Sequence, residues 1–421
     1  MSSPQPPSDR SRLEVADIFR AEAAAFLQTH GGSLSTQQKR VFSDIQACRT
    51  AVLGGHVREC AGCDHREIAY NSCRNRHCPK CQAMARAQWL VQREAELLPI
   101  AYFHIVFTLP AEIAALALQN KRLLYGMLFQ AASETLQEVA ANPRHLGAAQ
   151  IGVLAVLHTW GQNLLHHPHL HCVVSGGGLS QDESRWIASR DYFFLPVRVL
   201  SRVFRNKFRR LLEKAFARGE LSFFGKLNSL AQPTAFRQYL DAATQREWVV
   251  FAKRPFRNPA CVLKYLARYT HRVAIANQRL IEYRAGQVTF HYKDYARQGA
   301  QRTMTLAAAE FIRRFLLHVL PDGFMRIRHY GYLANRHRQE KLALCRRLLG
   351  CETTIDPPEN IDLPEPNGGD QADESETTMR CPICQTGRMR VIERFERSPH
   401  RFSGQSTPFL RSFEIPHDDS S

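Results

Sequence analysis

The segment His166-His-Pro-His-Leu-His171 concentrates four of the chain's eighteen histidines in six residues, with His158 just upstream. Its second half, His169-Leu-His-Cys-Val-Val174, reads as a β-strand, and this constrains the fold more than any other stretch. Successive strand side chains alternate between faces, so His169 and His171 point the same way. Two imidazoles side by side on one rigid strand can grip a single divalent ion. Ile151 to Thr159 reads as a neighbouring strand. Antiparallel pairing about residues 164 and 165 would set His158 opposite His171, making it a third ligand on the same face, with Gln162 as its rival. Three neutral ligands leave room on Mg²⁺ or Mn²⁺ for phosphate oxygen and water. The plainer alternative makes these histidines surface residues of a hairpin. His166 and His167 take no role in either reading.

A chain of 421 residues has room for two or three domains with real cores. Hydrophobic and charged contents of 44% and 23% are ordinary for a globular protein, but a net charge of +17 is not. The stretch Glu352 to Thr378 holds nine acidic and no basic residues, so the positive surplus lies outside it. Such a surplus favours a polyanionic partner, and nucleic acid is the usual one. No apolar run reaches the ~18 to 20 residues of a membrane span. The start, Met-Ser-Ser-Pro-Gln-Pro-Pro, lacks the apolar core of an export signal. A cytoplasmic protein with reduced cysteines is expected.

Cys60-x2-Cys63 and Cys78-x2-Cys81, fourteen residues apart, fit the spacing of a zinc ribbon. Four thiolates close the coordination sphere, so this zinc should be structural. Cys73 and His77 lie between the pairs, and either could replace one ligand. Arg74, Arg76, His77, Lys80 and Arg86 surround the module and suit phosphate contacts. Cys381-Pro-Ile-Cys384 is only half a site. Cys345 and Cys351 could complete it, or the pair could stay metal-free.

Strand patterns at 102–108, 151–159, 169–175, 248–252, 279–283 and 287–292 alternate with helical patterns at 15–28, 35–48, 83–98, 111–141, 202–218, 259–271, 305–319 and 335–349. Ser35 and Gln38 have capping-box spacing, and Gly176-Gly-Gly178 marks the exit of the histidine strand. The expected fold class is α+β, an antiparallel sheet flanked by helices and preceded by a small helical, zinc-ribbon-like domain. Residues 1–98 would form the N-terminal helices and zinc-binding domain. Residues 99–351 would form the catalytic domain, 352–378 an acidic disordered linker, and 379–421 a separate C-terminal module.

The helix at 259–271 contains Lys264-Tyr265-Leu-Ala-Arg268-Tyr269, whose two tyrosines are four apart and share a face. A tyrosine that attacks phosphorus stores the bond energy as a phosphotyrosine and frees a 3′ hydroxyl. A Tyr-x3-Tyr pair alone is more often core packing. With His169-Leu-His171 and Ser72-Cys-Arg-Asn-Arg-His-Cys-Pro-Lys-Cys81, however, residues 20 to 350 resemble the two-tyrosine HUH nucleases. Within these they resemble the rolling-circle insertion-sequence transposases (the IS ninety-one family). The resemblance implies an HUH fold with the histidines on a central strand, and Tyr265 and Tyr269 as nucleophiles. It also implies nicking of single-stranded transposon ends and strand transfer in a bacterial, nucleoid-associated setting. Lys264, Arg268 and Arg272 would hold phosphates beside the tyrosines. Aromatic and basic residues interleave in Phe204-Arg-Asn-Lys-Phe-Arg-Arg210 and Arg326-Ile-Arg-His-Tyr-Gly-Tyr332, which suits unpaired DNA. Two alternatives predict different behaviour: a plasmid relaxase or replication initiator with the same chemistry, and a zinc-dependent DNA-binding protein without catalysis.

Overall fold

The computed structural model describes residues 13–81, 96–148, 150–190, 195–253, 274–294, 299–351 and 379–398. The chain divides into two compact units: Ala16–Cys73 with Asp373–Ser421, and Met1–Val15 with Arg74–Ala372. We call them the cysteine unit and the histidine unit. The mixed helix and strand content, with antiparallel sheets, is the α+β class expected from the sequence.

The cysteine unit opens with α1 (Val15–His30) and α2 (Thr36–Ala47). Ser35 and Gln38 form the expected capping box, each side chain bonding the other's backbone N–H. Phe19, Phe26 and Phe42 pack between the helices, with ring centroids 5.1 and 5.5 Å apart for Phe19–Phe42 and Phe26–Phe42. Strands β1 (Gly55–Cys60) and β2 (Arg66–Tyr70) then form an antiparallel hairpin.

In the histidine unit, β3 (Tyr102–Thr108) leads to α3 (Ala111–Gln119) and α4 (Lys121–Ala141). One helix over 111–141 was expected. Asn120 breaks it, because its side-chain amide bonds both the backbone N–H and the carbonyl of Ser222 (2.8 Å each). Strands β4 (Gln150–Trp160), β5 (His166–Leu179) and β6 (Trp186–Ala188) follow, then α5 (Val197–Ala217), α6 (Pro233–Gln245) and β7 (Val250–Lys253). Next come β8 (Leu280–Arg284), β9 (Gln287–Asp294) and β10 (Ala300–Ala307), an antiparallel sheet of three strands. The stretch 300–307 was expected to include the start of a helix. It instead pairs residue for residue with β9, and α7 (Ala308–Leu317) begins only after it. Strand β11 (Ile327–Tyr330) and α8 (Arg338–Leu348) complete the unit.

The main sheet has the order β11-β4-β5-β3-β7, with β6 also on β5, and every pairing is antiparallel. The histidine strand β5 is therefore central. One sheet face carries Phe103, Ile105 and Phe107 of β3, Val153, Ala155 and Leu157 of β4, and Leu170, Cys172 and Val174 of β5. These pack with residues of α3 to α6 in the main core. By strict alternation the histidines occupy the opposite face. Gly176–Gly178 does not end β5 as expected. A Cβ on Gly178 would fall 2.3 Å from the Gln150 carbonyl oxygen, so glycine lets the strand run on beneath its neighbours.

The last strand, β12 (Met389–Phe395), pairs antiparallel with β1 and completes the sheet β12-β1-β2. The expected C-terminal module is therefore not separate: its strand belongs to the cysteine unit. The expected boundary at residue 98 moves to the Cys73/Arg74 junction. The linker 352–378 and the helix 259–271, with Lys264, Tyr265, Arg268, Tyr269 and Arg272, lie outside the described residues. So does most of the helix 83–98, including Arg86. Among the described residues, no helix is long and apolar enough to cross a membrane.

Candidate functional site

Strands β4 and β5 bring His158, His169 and His171 together, with one ligand nitrogen from each ring within 4.8 Å of the others. The register differs from expectation. His158 pairs with His169, and Val156 with His171. The tight turn at Gly161–Leu165, with Leu164 in the left-handed region at φ 62°, shifts the register by two residues. A shift by two preserves the face, so His158 still joins the cluster. Gln162 falls within that turn, where its carbonyl accepts from Arg279 Nη2 at 2.5 Å.

The hydrogen bonds orient the rings. His169 Nδ1–H donates to the His167 carbonyl (2.7 Å), which leaves the Nε2 lone pair free. His171 Nδ1 meets His104 Nε2 at 2.9 Å, and its Nε2 faces His169 Nε2 at 3.1 Å. Ligands held at about 2.1 Å and at right angles around an octahedral ion lie about 3.0 Å apart, so the pair suits one such ion. His158 is 3% exposed and stacks on Trp160, centroids 4.5 Å apart. Burial pushes His169 down to about 4 and His171 well below its ordinary value, so both are neutral near pH 7, as metal ligands must be.

His104, on the adjacent β3, is the member that sequence reasoning missed. It is buried and stacked on His171 (centroids 5.1 Å), and burial lowers it to about 4. The signal was present: His104 occupies an even position of a strand whose odd positions are core phenylalanines and isoleucine. His166 also finds a place, with its Nε2 2.7 Å from the Tyr125 hydroxyl.

The cysteines are grouped differently from expectation. Cys60 and Cys63 sit with Cys381 and Cys384, within the cysteine unit, and their four sulfurs lie within 4.8 Å of one another. Cys60 Sγ is 3.7 Å from Cys384 Sγ, and Cys63 Sγ is 3.6 Å from Cys381 Sγ. This corrects the set Cys60, Cys63, Cys78 and Cys81. A tetrahedral ion takes four ligands, and the C-terminal pair brings the sulfurs gathered here to four. Cys78 and Cys81 fall in the histidine unit. Cys345 is buried among Leu98, Tyr332 and Leu342, so it does not complete the C-terminal pair. His77 is a satisfied core histidine: its Nε2 accepts from the Leu320 N–H (3.1 Å), and its Nδ1–H donates to Asn75 Oδ1 (3.1 Å).

The sequence matches the family model described as putative transposase over residues 152–341, and that of the transposase zinc-binding domain over residues 18–109. It is 57% identical over 388 residues to the putative transposase y4qJ of Sinorhizobium fredii, covering 92% of this chain and 96% of the relative. It is also 30% identical over 340 residues to the transposase for insertion sequence element IS801 of Pseudomonas savastanoi pv. phaseolicola, covering 76% of each. The chain belongs to the IS ninety-one family of insertion-sequence transposases. A solved structure of the conjugative relaxase TrwC in complex with OriT DNA is similar over 62% of this chain and 95% of its own. Its identity is 14% and its TM-score 0.22.

As a transposase the chain acts on DNA, and its zinc-binding domain gives zinc a structural role. Its basic residues divide. Arg74 is exposed, with its backbone in the left-handed region. Arg76 instead donates Nη1 and Nη2 to the carbonyls of Phe324 and Pro321 (2.6 and 2.7 Å), and Lys80 pairs with Glu14. The structure thus gives Arg76 and Lys80 internal partners in place of the phosphates expected. The aromatic–basic runs are also corrected. Phe204 and Phe208 are wholly buried on the core face of α5, and Tyr332 is 1% exposed, so these rings hold the fold and do not lie open for bases.

Proposed function

We propose that the transposase nicks single-stranded DNA at transposon ends and transfers the strand, with Tyr265 and Tyr269 as nucleophiles. The observation that supports this most is the 3.1 Å approach of His169 Nε2 to His171 Nε2, with each ring's other nitrogen engaged elsewhere. Two such nitrogens facing one another favour a shared cation. His158, His169 and His171 would hold Mg²⁺ or Mn²⁺, which supplies a Lewis acid for the non-bridging oxygens of the scissile phosphate. The tyrosine hydroxyl loses its proton and forms a bond to phosphorus. The bond from phosphorus to the 3′ oxygen breaks, and that oxygen takes up a proton. The product is a 5′-phosphotyrosine, from which the strand passes to a target 3′ hydroxyl. Two tyrosines allow two strands to be held in turn. Lys264, Arg268, Arg272 and the exposed Arg74 would neutralise phosphates along the strand.

The test uses end-labelled single-stranded DNA carrying the transposon ends, with Mg²⁺ or Mn²⁺. A covalent adduct that survives denaturing electrophoresis is expected from the wild type, and none from the Tyr265→Phe/Tyr269→Phe double variant. An adduct of undiminished yield in that variant would sink the nucleophile assignment. Undiminished cleavage by both His169→Ala and His171→Ala would sink the metal assignment.

A further inference from the structure

We propose that Cys60, Cys63, Cys381 and Cys384 form one zinc site, assembled from the two ends of the chain, that makes the pairing of β12 with β1 zinc-dependent. The match to the zinc-binding domain ends at residue 109, so two of the four ligands lie far beyond it. A tetrahedral ion with bonds of about 2.3 Å to sulfur sets its sulfurs about 3.8 Å apart. The separations of 3.7 and 3.6 Å between the two pairs follow that edge length, and all four sulfurs share one small volume.

The backbone is shaped for thiolates. The Gly62 N–H points at Cys60 Sγ (3.2 Å) and the Ile383 N–H at Cys381 Sγ (3.4 Å), two residues on in each pair. The Gly387 N–H points at Cys384 Sγ (3.2 Å). Such bonds offset the negative charge that four thiolates place around one divalent ion. The two knuckles also approach closely only because glycine stands between them. A Cβ on Gly387 would lie 2.4 Å from Cys60 Sγ, and one on Gly62 would lie 3.2 Å from the Gly387 Cα.

Beyond the cysteines, β12 is held by its ladder to β1 and by an edge contact of Phe395 with Tyr70, ring centroids 6.0 Å apart. The cluster's buried apolar residues are Cys60, Cys381 and Met389, and the outer strand is mostly exposed, with Ile392 at 47%. Cys63 and Cys381 lie 318 residues apart in sequence, so their sulfurs meet only where the two ends of the chain are brought together. Binding a metal ion supplies free energy that couples directly to folding. As the ion binds, four thiols release their protons to solvent and four sulfur–zinc bonds form.

Alkylation of the intact wild-type protein tests this without relying on a variant that folds. Cys63 is exposed and Cys384 half-buried, so both should react with iodoacetamide unless an ion holds their sulfurs. In zinc-loaded protein Cys63, Cys381 and Cys384 should be protected together. Removing zinc with a chelator should release all three at once, along with the amide protection of residues 389–395. Equal alkylation rates with and without zinc would overturn the proposal. Independently, Cys381→Ser/Cys384→Ser should carry about one zinc fewer per chain than the wild type, whereas Cys384→His and Cys345→Ser should keep it. Unchanged zinc in the double serine variant would also overturn it.

Discussion

At the scale of single residues, His104 is the uncharged neighbour that would set His171 as the proposed metal ligand. Its Nε2 contacts His171 Nδ1 at 2.9 Å from the adjacent strand, so it fixes the ring angle and would turn the Nε2 of His171 towards the proposed ion. Partners of this kind typically alter metal affinity or activity about 10- to 100-fold when removed. His104→Leu should therefore raise the Mn²⁺ concentration needed for half-maximal adduct formation by about that factor, while His104→Gln, which can still accept, loses less. A metal titration of adduct yield checks this, and equal curves for His104→Leu and wild type would exclude the positioning role. Arg74 and Arg76 give a second contrast two residues apart. Each phosphate contact contributes about one unit to the dependence of log affinity on log salt. Arg74→Ala should lower that slope by about one without changing the melting temperature. Arg76→Ala should leave the slope intact and lower the melting temperature, because its two bonds go to the carbonyls of Phe324 and Pro321.

At the scale of elements, strands and faces were legible wherever burial imposed alternation. The pattern in His169-Leu-His-Cys-Val-Val174 marks both the core face, through Leu170, Cys172 and Val174, and the histidine face. The β4–β5 register was not legible, because turn length sets it and Leu164 adopts a conformation unusual for leucine. Strand β10 was missed because it is largely exposed on its edge and carries little alternating apolar signal. The partners of Cys60 and Cys63 were illegible for another reason: local spacing cannot reveal a ligand pair at the other end of the chain. Aromatic–basic interleaving misled in α5, since a 3.6-residue period can carry rings on one face and arginines on the other. Phe204 packs at 4.9 Å from Phe107 and 5.4 Å from Trp248. Phe204→Ala should cost about 3 to 5 kcal/mol in chemical denaturation while folded protein binds single-stranded DNA as the wild type does. A weaker affinity at unchanged stability would restore the stacking role.

At the scale of the whole molecule, the buried histidines tie stability to pH. Burial is the leading cause that lowers His77 to about 3, His166 to about 4 and His318 to about 3. In the unfolded chain each takes a proton near its ordinary value of about 6.5. The folded pKa values are depressed, so the stabilisation is complete above about pH 6.5 and is lost as pH falls towards 4 and 3. Between about pH 5.5 and 4.5 the unfolded state holds roughly three more protons than the native state from these groups alone, a slope of about 4 kcal/mol per pH unit. His318 is the cleanest probe. Its Nε2–H donates to the Leu164 carbonyl (3.0 Å), and its Nδ1 accepts from the Thr159 hydroxyl (3.2 Å). Glutamine can make both bonds without titrating, so His318→Gln should reduce the acid slope by about 1.4 kcal/mol per pH unit. Denaturant midpoints measured in chelator from pH 7 to 5 separate this effect from metal release, and parallel slopes for variant and wild type would show that His318 is not held neutral in the fold.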